Sequence, residues 1–249
     1  MENIQESTNL INEAKNICLI PSQAPEAVTS TLALFYTLKE MGKNVNLIID
    51  AVPENLKFLT PSLDFISYPK NFVLSIPNRV ANVSQIHYEK NDEAVKVFLT
   101  LESGNIKKED ISFYFSETKP DLVITVGIKD YSEQLKNKLN SFGFLLDSPI
   151  LNIDKAIDET ENKKFGKINL LAESSLTEIV FHLIKNTRED SIKKELASCL
   201  LSGIVIYTEN FKNNITADIF EIAGTLMKKG VDLKEIVNSI YAQQQIHSV

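Results

Sequence analysis

One stretch, residues 147–184 (DSPILNIDKAIDETENKKFGKINLLAESSLTEIVFHLI), constrains the fold of this chain more than any other. Residues 149–153 read as a short buried strand that ends on Asp154, and a polar loop follows. A second strand over 167–171 comes next, and SSLTE then opens a helix with apolar periodicity. Alternation of this kind is how a parallel sheet covered by helices is written in sequence. The carboxyl ends of such strands are where α/β proteins place their chemistry.

The pattern recurs upstream. Residues 4–15 place Ile4, Leu10, Ile11 and Ala14 at spacings of a short amphipathic helix. The run 17–20 is a buried strand that stops at Pro21 and Ser22. QAPEAVTSTLALFYTLKEMGK is a long helix with lysines near its end and Gly42 as its stop. Residues 45–50 (VNLIID) form a second parallel strand, since an unbroken aliphatic run arrives after a helix. Asp50 reads first as a cap or turn residue before the helix start at Pro53, and second as a functional carboxylate at a strand exit.

From 71 to 115 the pattern changes. FVLSI, VSQIHYEK and AVKVFLTLE are strands divided by turns at Pro77, Asn91/Asp92 and Gly104/Asn105, with YEKNDEAVKVFL as a hairpin. This predicts a small antiparallel insertion over 70–116 in a single α/β domain spanning 1–249. His87 lies there apart from other ligand-type side chains, which fits a structural or surface histidine. PDLVITVGIKD (120–130) brings back the parallel sheet, and Asp130 suits the cap of a helix YSEQLKNKLNSFG. Glu178 falls in the first turn of its helix, with His182 one turn on as a local partner. A helix over 191–202 leads into SGIVIYTENF, and helices over 216–229, ended by Gly230, and 233–244 close the chain. There is no internal repeat, low-complexity tract or linker.

Composition narrows the function classes. The chain has 249 residues, 43% hydrophobic and 24% charged, as in an ordinary soluble domain. Its net charge of −7 argues against an extended nucleic-acid surface, which shows a basic excess or stripe. Cys18 and Cys199 sit inside apolar runs and read as buried thiols, without disulfide or zinc spacing. The acidic N-terminus lacks an apolar h-region, and no apolar run approaches the roughly 20 residues of a membrane span. The expectation is a cytoplasmic protein without a membrane partner.

The segments NID, FGKINL and SSLTEIVFHLI together resemble the DHH phosphoesterases, whose frame reads N-I-D-H-H, a loop with Asn, F-G-x-x-N and S-S-x-x-E-I. The strand, polar turn and helix start around Pro25 are similar to the family's first motif, H-x-x-P-D-x-D-A-x-G-S-x-L-A-L, at Pro25, Ala27, Ser30, Leu32, Ala33 and Leu34. Val52, Pro53, Phe58 and Leu59 match a V-P-x-x-x-x-F-L segment. The resemblance covers roughly 200 residues by order and spacing, and it implies a doubly wound, mostly parallel α/β sheet of about five strands. It also implies hydrolysis of phosphodiester or pyrophosphate-type bonds by a pair of Mn²⁺ or Mg²⁺ ions, which clamp the attacking and leaving oxygens.

Against that pattern the ligands are replaced. Lys155 and Ala156 stand at the two histidines, and Ser22 at the first motif's histidine. Glu26 takes the first aspartate, and a two-residue shortening removes the second. Gly127 stands at the metal-bridging aspartate. Tyr207, counted among the strand exits, takes the aspartate of G-I-x-x-D-T, before Thr208. The family's counterpart of Asp154 mainly orients a histidine. An ammonium at Lys155 opposes cations directly, by about 4 kcal/mol per unit charge at 4 Å and an effective dielectric of about 20. It pairs internally with Asp154 or Glu26, or alternatively holds a phosphate.

The first expectation is a pseudoenzyme, with no metal site, that acts by ligand binding or assembly and holds no cofactor. Its candidate ligand contacts are Glu26, Asp50, Asp154, Lys155 and Thr208. Its candidate partners are a nucleotide or phosphate, a second copy, or a complete paralogue of the family. The rival is an active Mn- or Mg-dependent phosphodiesterase or nucleotide phosphatase, rebuilt around Glu26, Asp50 and Asp154. The family's C-terminal substrate-binding domain, with its glycine- and histidine-containing motif, has no counterpart before Val249.

Overall fold

A computed structural model describes residues 3–49, 51–60, 70–117, 119–128, 148–156, 164–188 and 192–241. In chain order the elements begin α1 (Ile4–Glu13), β1 (Asn16–Pro21), α2 (Pro25–Glu40), β2 (Asn44–Leu47) and a 3-10 turn (Glu54–Leu59). Next come β3 (Lys70–Ser75), β4 (Ala81–Lys90), β5 (Val95–Gly104), β6 (Ser112–Glu117) and β7 (Leu122–Val126). The chain continues with β8 (Ile150–Lys155), β9 (Ile168–Ala172), α3 (Leu176–Thr187), α4 (Lys194–Tyr207), α5 (Ala217–Met227) and α6 (Leu233–Tyr241). Contacts divide it into two compact units, Met1–Tyr68 with Lys119–Val249, and Pro69–Thr118.

In the larger unit the strands order β2-β1-β7-β8-β9, and every neighbouring pair is parallel. The mostly parallel α/β architecture read from the sequence is therefore the one observed. Its central strands carry buried apolar residues on both faces, one set in the main core with α2, α3 and α4 and a smaller one of Cys18, Ile20, Val123 and Ile128. All five residues of β7 are buried, as are five of the six in β1. Helix α2 is buried over most of its circumference, which explains why its sequence is apolar and small on nearly every side. It packs on α3 and α4, and Phe35, Leu32 and Leu34 fill the core between them.

Two expectations are corrected here. The helix expected over 191–202 is α4, which runs on through SGIVIY to Tyr207. A short aliphatic run suits a buried strand and a buried helix equally, and burial on all sides of α4 decides for the helix. Gly203 allows the close approach: a Cβ there would collide with Thr177 Oγ1 and stand 2.9 Å from Thr29 Oγ1. The strand expected over 45–50 is the shorter Asn44–Leu47. Asp50, Asp130 and the helix expected after Asp130 lie outside the described residues.

The smaller unit holds two antiparallel pairs, β3 with β6 and β4 with β5. The β4–β5 hairpin turns at Asn91, whose N–H donates to the Ala94 carbonyl at 3.0 Å. The Asn91 Oδ1 accepts from the amides of Glu93 and Ala94, which closes the turn read from the sequence.

Candidate functional site

The order of the strands places the site. From β1 the chain crosses to β2 on one side, and β7 lies on the other, so the direction of winding reverses between β1 and β7. A crevice at the carboxyl ends of the strands forms at such a switch point. Ser22 leaves β1 there and Gly127 leaves β7, and the Ser22 amide donates to the Val126 carbonyl at 2.9 Å. On the next strand the Gly127 amide donates to Ile153 at 2.9 Å, which brings the end of β8, with Asp154 and Lys155, alongside.

Three of the sequence candidates meet in this crevice. Lys155 Nζ stands 2.6 Å from Glu26 Oε2, with the two side chains only 19% and 10% exposed. The same ammonium lies 4.4 Å from the centre of the Tyr207 ring, inside cation–π range. Glu26 is in the first turn of α2, and its Oε1 accepts from the Thr177 amide at 3.4 Å. That amide belongs to the first turn of α3, where unpaired N–H groups and the helix dipole favour an anion. The Glu26 carboxylate thus satisfies an ammonium and a helix N-terminus together.

Burial still dominates its proton affinity. The Glu26 carboxyl is pushed above its ordinary value because burial outweighs the hydrogen bond and charge of Lys155 and the amides of Thr177 and Leu176. The Tyr207 phenol is raised by burial first, then by the carboxylates of Glu178 and Glu26. Among the described residues, its neighbourhood is one of acidic groups around the Lys155 ammonium.

Gly127 has its own geometry. Its φ of +68° is a left-handed conformation that suits glycine. A Cβ at this position would stand 3.0 Å from Leu176 Cδ1 and 3.1 Å from both the Ala27 Cβ and the Ser22 Oγ. A side chain here therefore needs those neighbours to give by a few tenths of an ångström and has to adopt a left-handed backbone.

The other candidates play supporting parts. The Asp154 Oδ1 accepts from the Lys155 amide at 2.7 Å, and Asp154 is buried at the end of β8. The Ala156 amide continues the ladder to Ala172 at 2.9 Å. Thr208 is buried and turned to the backbone: its hydroxyl donates to Ile204 at 2.7 Å and accepts from the Phe211 amide at 3.0 Å. Tyr207 ends a helix and is not at a strand exit, which corrects its expected placement.

Glu178 does not use its carboxylate on His182. Its Oε2 accepts from the Ser175 amide at 3.0 Å, while Ser175 Oγ accepts from the Glu178 amide at 3.0 Å, a reciprocal capping box. The Ser-x-x-Glu spacing in SSLTE is the signal that carries this pairing. Thr177 and Leu176 were missed because both act on Glu26 through backbone amides, Leu176 also by occupying volume beside Gly127.

A two-cation centre needs several anionic or imidazole donors converging on one point. Among the described residues no group of three or more His, Cys, Asp or Glu side chains is arranged to hold a metal ion. The Glu26 carboxylate is already paired with the Lys155 ammonium.

No protein-family model matches the sequence, and no curated protein matches it. Among solved structures, an exopolyphosphatase-related protein from Bacteroides fragilis superposes with a TM-score of 0.67 at 20% identity. The match covers 96% of this chain and 60% of that one, so the chain spans about three fifths of its neighbour's length. The exonuclease RecJ bound to manganese aligns with a TM-score of 0.44 at 14% identity, over 92% of this chain and 47% of that one. RecJ from Thermus thermophilus in complex with Mn²⁺ gives 0.43 at 10%, over 97% and 31%.

Proposed function

We propose that this chain, which has a DHH phosphoesterase-like fold, works by binding or assembly and does not carry out two-metal hydrolysis. One observation carries the reading: Lys155, at the place of a ligating histidine in the resemblance, is held at 2.6 Å by Glu26 and covered by Tyr207. The crevice supplies its own cation and its own anion. A divalent ion approaching Glu26 meets the ammonium, and a phosphate approaching Lys155 meets the carboxylate. Either ligand must break a largely buried ion pair before it binds, which favours assembly over small-molecule capture.

The crowding beside Gly127 supports the same reading, because a side chain there needs Leu176, Ala27 or Ser22 to shift and a left-handed backbone. A Mn²⁺-dependent assay on a generic phosphodiester and short oligonucleotides tests it, with thermal shift against nucleotides in parallel. The expected result is turnover at background, with a nucleotide-dependent stabilisation marking ligand binding and its absence marking assembly. Turnover that is lost in Glu26→Gln or Asp154→Asn would establish the active phosphoesterase instead, while a nucleotide-dependent shift alone would establish a binder.

A further inference from the structure

The β4–β5 hairpin belongs to the smaller unit. Its two strands of ten residues pair with each other, and among the described residues no third strand joins either edge. One face brings together Ile86, Tyr88, Val95, Val97 and Leu99, of which the first four are 70%, 73%, 61% and 55% exposed. An exposed apolar edge strand is a template for another strand, and proteins normally blunt it with proline, bulges or central charges. Strand β5 contains no proline and carries its two charges near its ends, Lys96 and Glu102.

The register of a second copy follows from that spacing. The hydrogen bond from Asn91 to Ala94 fixes the alternation, which turns the backbone groups of Val95, Val97 and Leu99 away from β4. A local irregularity at Val83 opposite Leu101 leaves the pairing beyond it in step. Antiparallel pairing of β5 with its own copy about Leu99 sets Lys96 opposite Glu102 twice, by symmetry. The same register sets Val97 opposite Leu101 and Leu99 opposite itself. Parallel pairing in register would instead align like charges, and centring on Phe98 would leave both charges without a partner across the edge.

We infer that β5 pairs antiparallel with β5 of a second copy about Leu99, joining two hairpins into a four-stranded sheet in a two-fold dimer. The interface is isologous, so each β5 gives Lys96 to one charge pair and Glu102 to the other. Glu102 also accepts from Asn82 Nδ2 at 2.7 Å, which holds its carboxylate at the strand end. The occupant is a second copy because the charge pattern of β5 is complementary to itself.

Sedimentation equilibrium on the full chain, with circular dichroism to confirm folding, provides the test. A concentration-dependent dimer is expected, weakened about tenfold by Lys96→Glu or by Glu102→Lys alone, because like charges then face each other. The double reversal Lys96→Glu/Glu102→Lys restores the dimer, since the pairs re-form with their signs exchanged. Val97→Pro removes an outward-facing amide without touching the β4–β5 ladder and abolishes association. A chain that stays monomeric at all concentrations overturns the inference. A dimer indifferent to both the charge reversals and Val97→Pro also overturns it, by placing the contact elsewhere.

Discussion

Replacing Lys155 with methionine keeps most of the aliphatic stem and deletes the ammonium, which leaves the Glu26 carboxylate buried with backbone amides as its remaining donors. Removing one partner of a buried pair costs about 3 to 5 kcal/mol. Here the loss has a ceiling, because the carboxyl escapes by taking up a proton. Each pH unit above its ordinary value of 4.5 is worth about 1.4 kcal/mol, which caps the penalty at pH 7 at about 3.4 kcal/mol. Glu26 is raised already in the parent protein, so part of that ceiling is used before the substitution. The expected net cost is about 2 kcal/mol at pH 7.

The sign follows from linkage. An acid whose folded value lies above its unfolded one binds more protons when folded, so stability falls as pH rises from 4.5 through the folded value. Lys155→Met raises that folded value further. Its cost is therefore largest at neutral pH and shrinks below about 1 kcal/mol by pH 5. Urea unfolding of parent and variant at pH 7 and pH 5 measures both numbers. Adding Glu26→Gln to Lys155→Met should recover most of the neutral-pH loss and flatten the pH dependence, since the uncompensated carboxylate is gone. A cost that is equal at the two pH values, or a double variant no better than the single, would refute the account of a buried ion pair.

Gly127→Asp places a side chain at φ +68° against Leu176 Cδ1 and Ala27 Cβ. Left-handed backbone costs about 1 to 2 kcal/mol and crowding about 1 to 3, so a loss of at least 2 kcal/mol is expected in thermal or urea unfolding. Ser175→Ala removes one half of the capping box at the start of α3 and should cost about 1 kcal/mol by the same measurement, with the Glu178 amide left unsatisfied in a buried position.

Much of the scaffold was legible because its signals are local. Aliphatic runs gave β1, β7 and β8, Gly42 marked the end of α2 with a φ of +73°, and Asn91 marked the hairpin turn. The pairing of Lys155 with an acidic partner was also legible, because both candidates, Asp154 and Glu26, fall in segments that a parallel sheet brings to one edge. The continuation of α4 through SGIVIY was not, since β-branched residues in a short apolar run carry no period that separates helix from strand. The crowding at Gly127 was equally hidden: the resemblance implies an aspartate at this place, while only packing shows Leu176 and Ala27 close to where a Cβ would stand.

Calorimetric titration of the purified chain with Mn²⁺, read together with metal content after purification, bears most directly on whether an internal ion pair has replaced a cation pair. The account predicts no tight, stoichiometric uptake by the parent protein. Two manganese ions per chain, bound tightly and lost on Glu26→Gln, would contradict it.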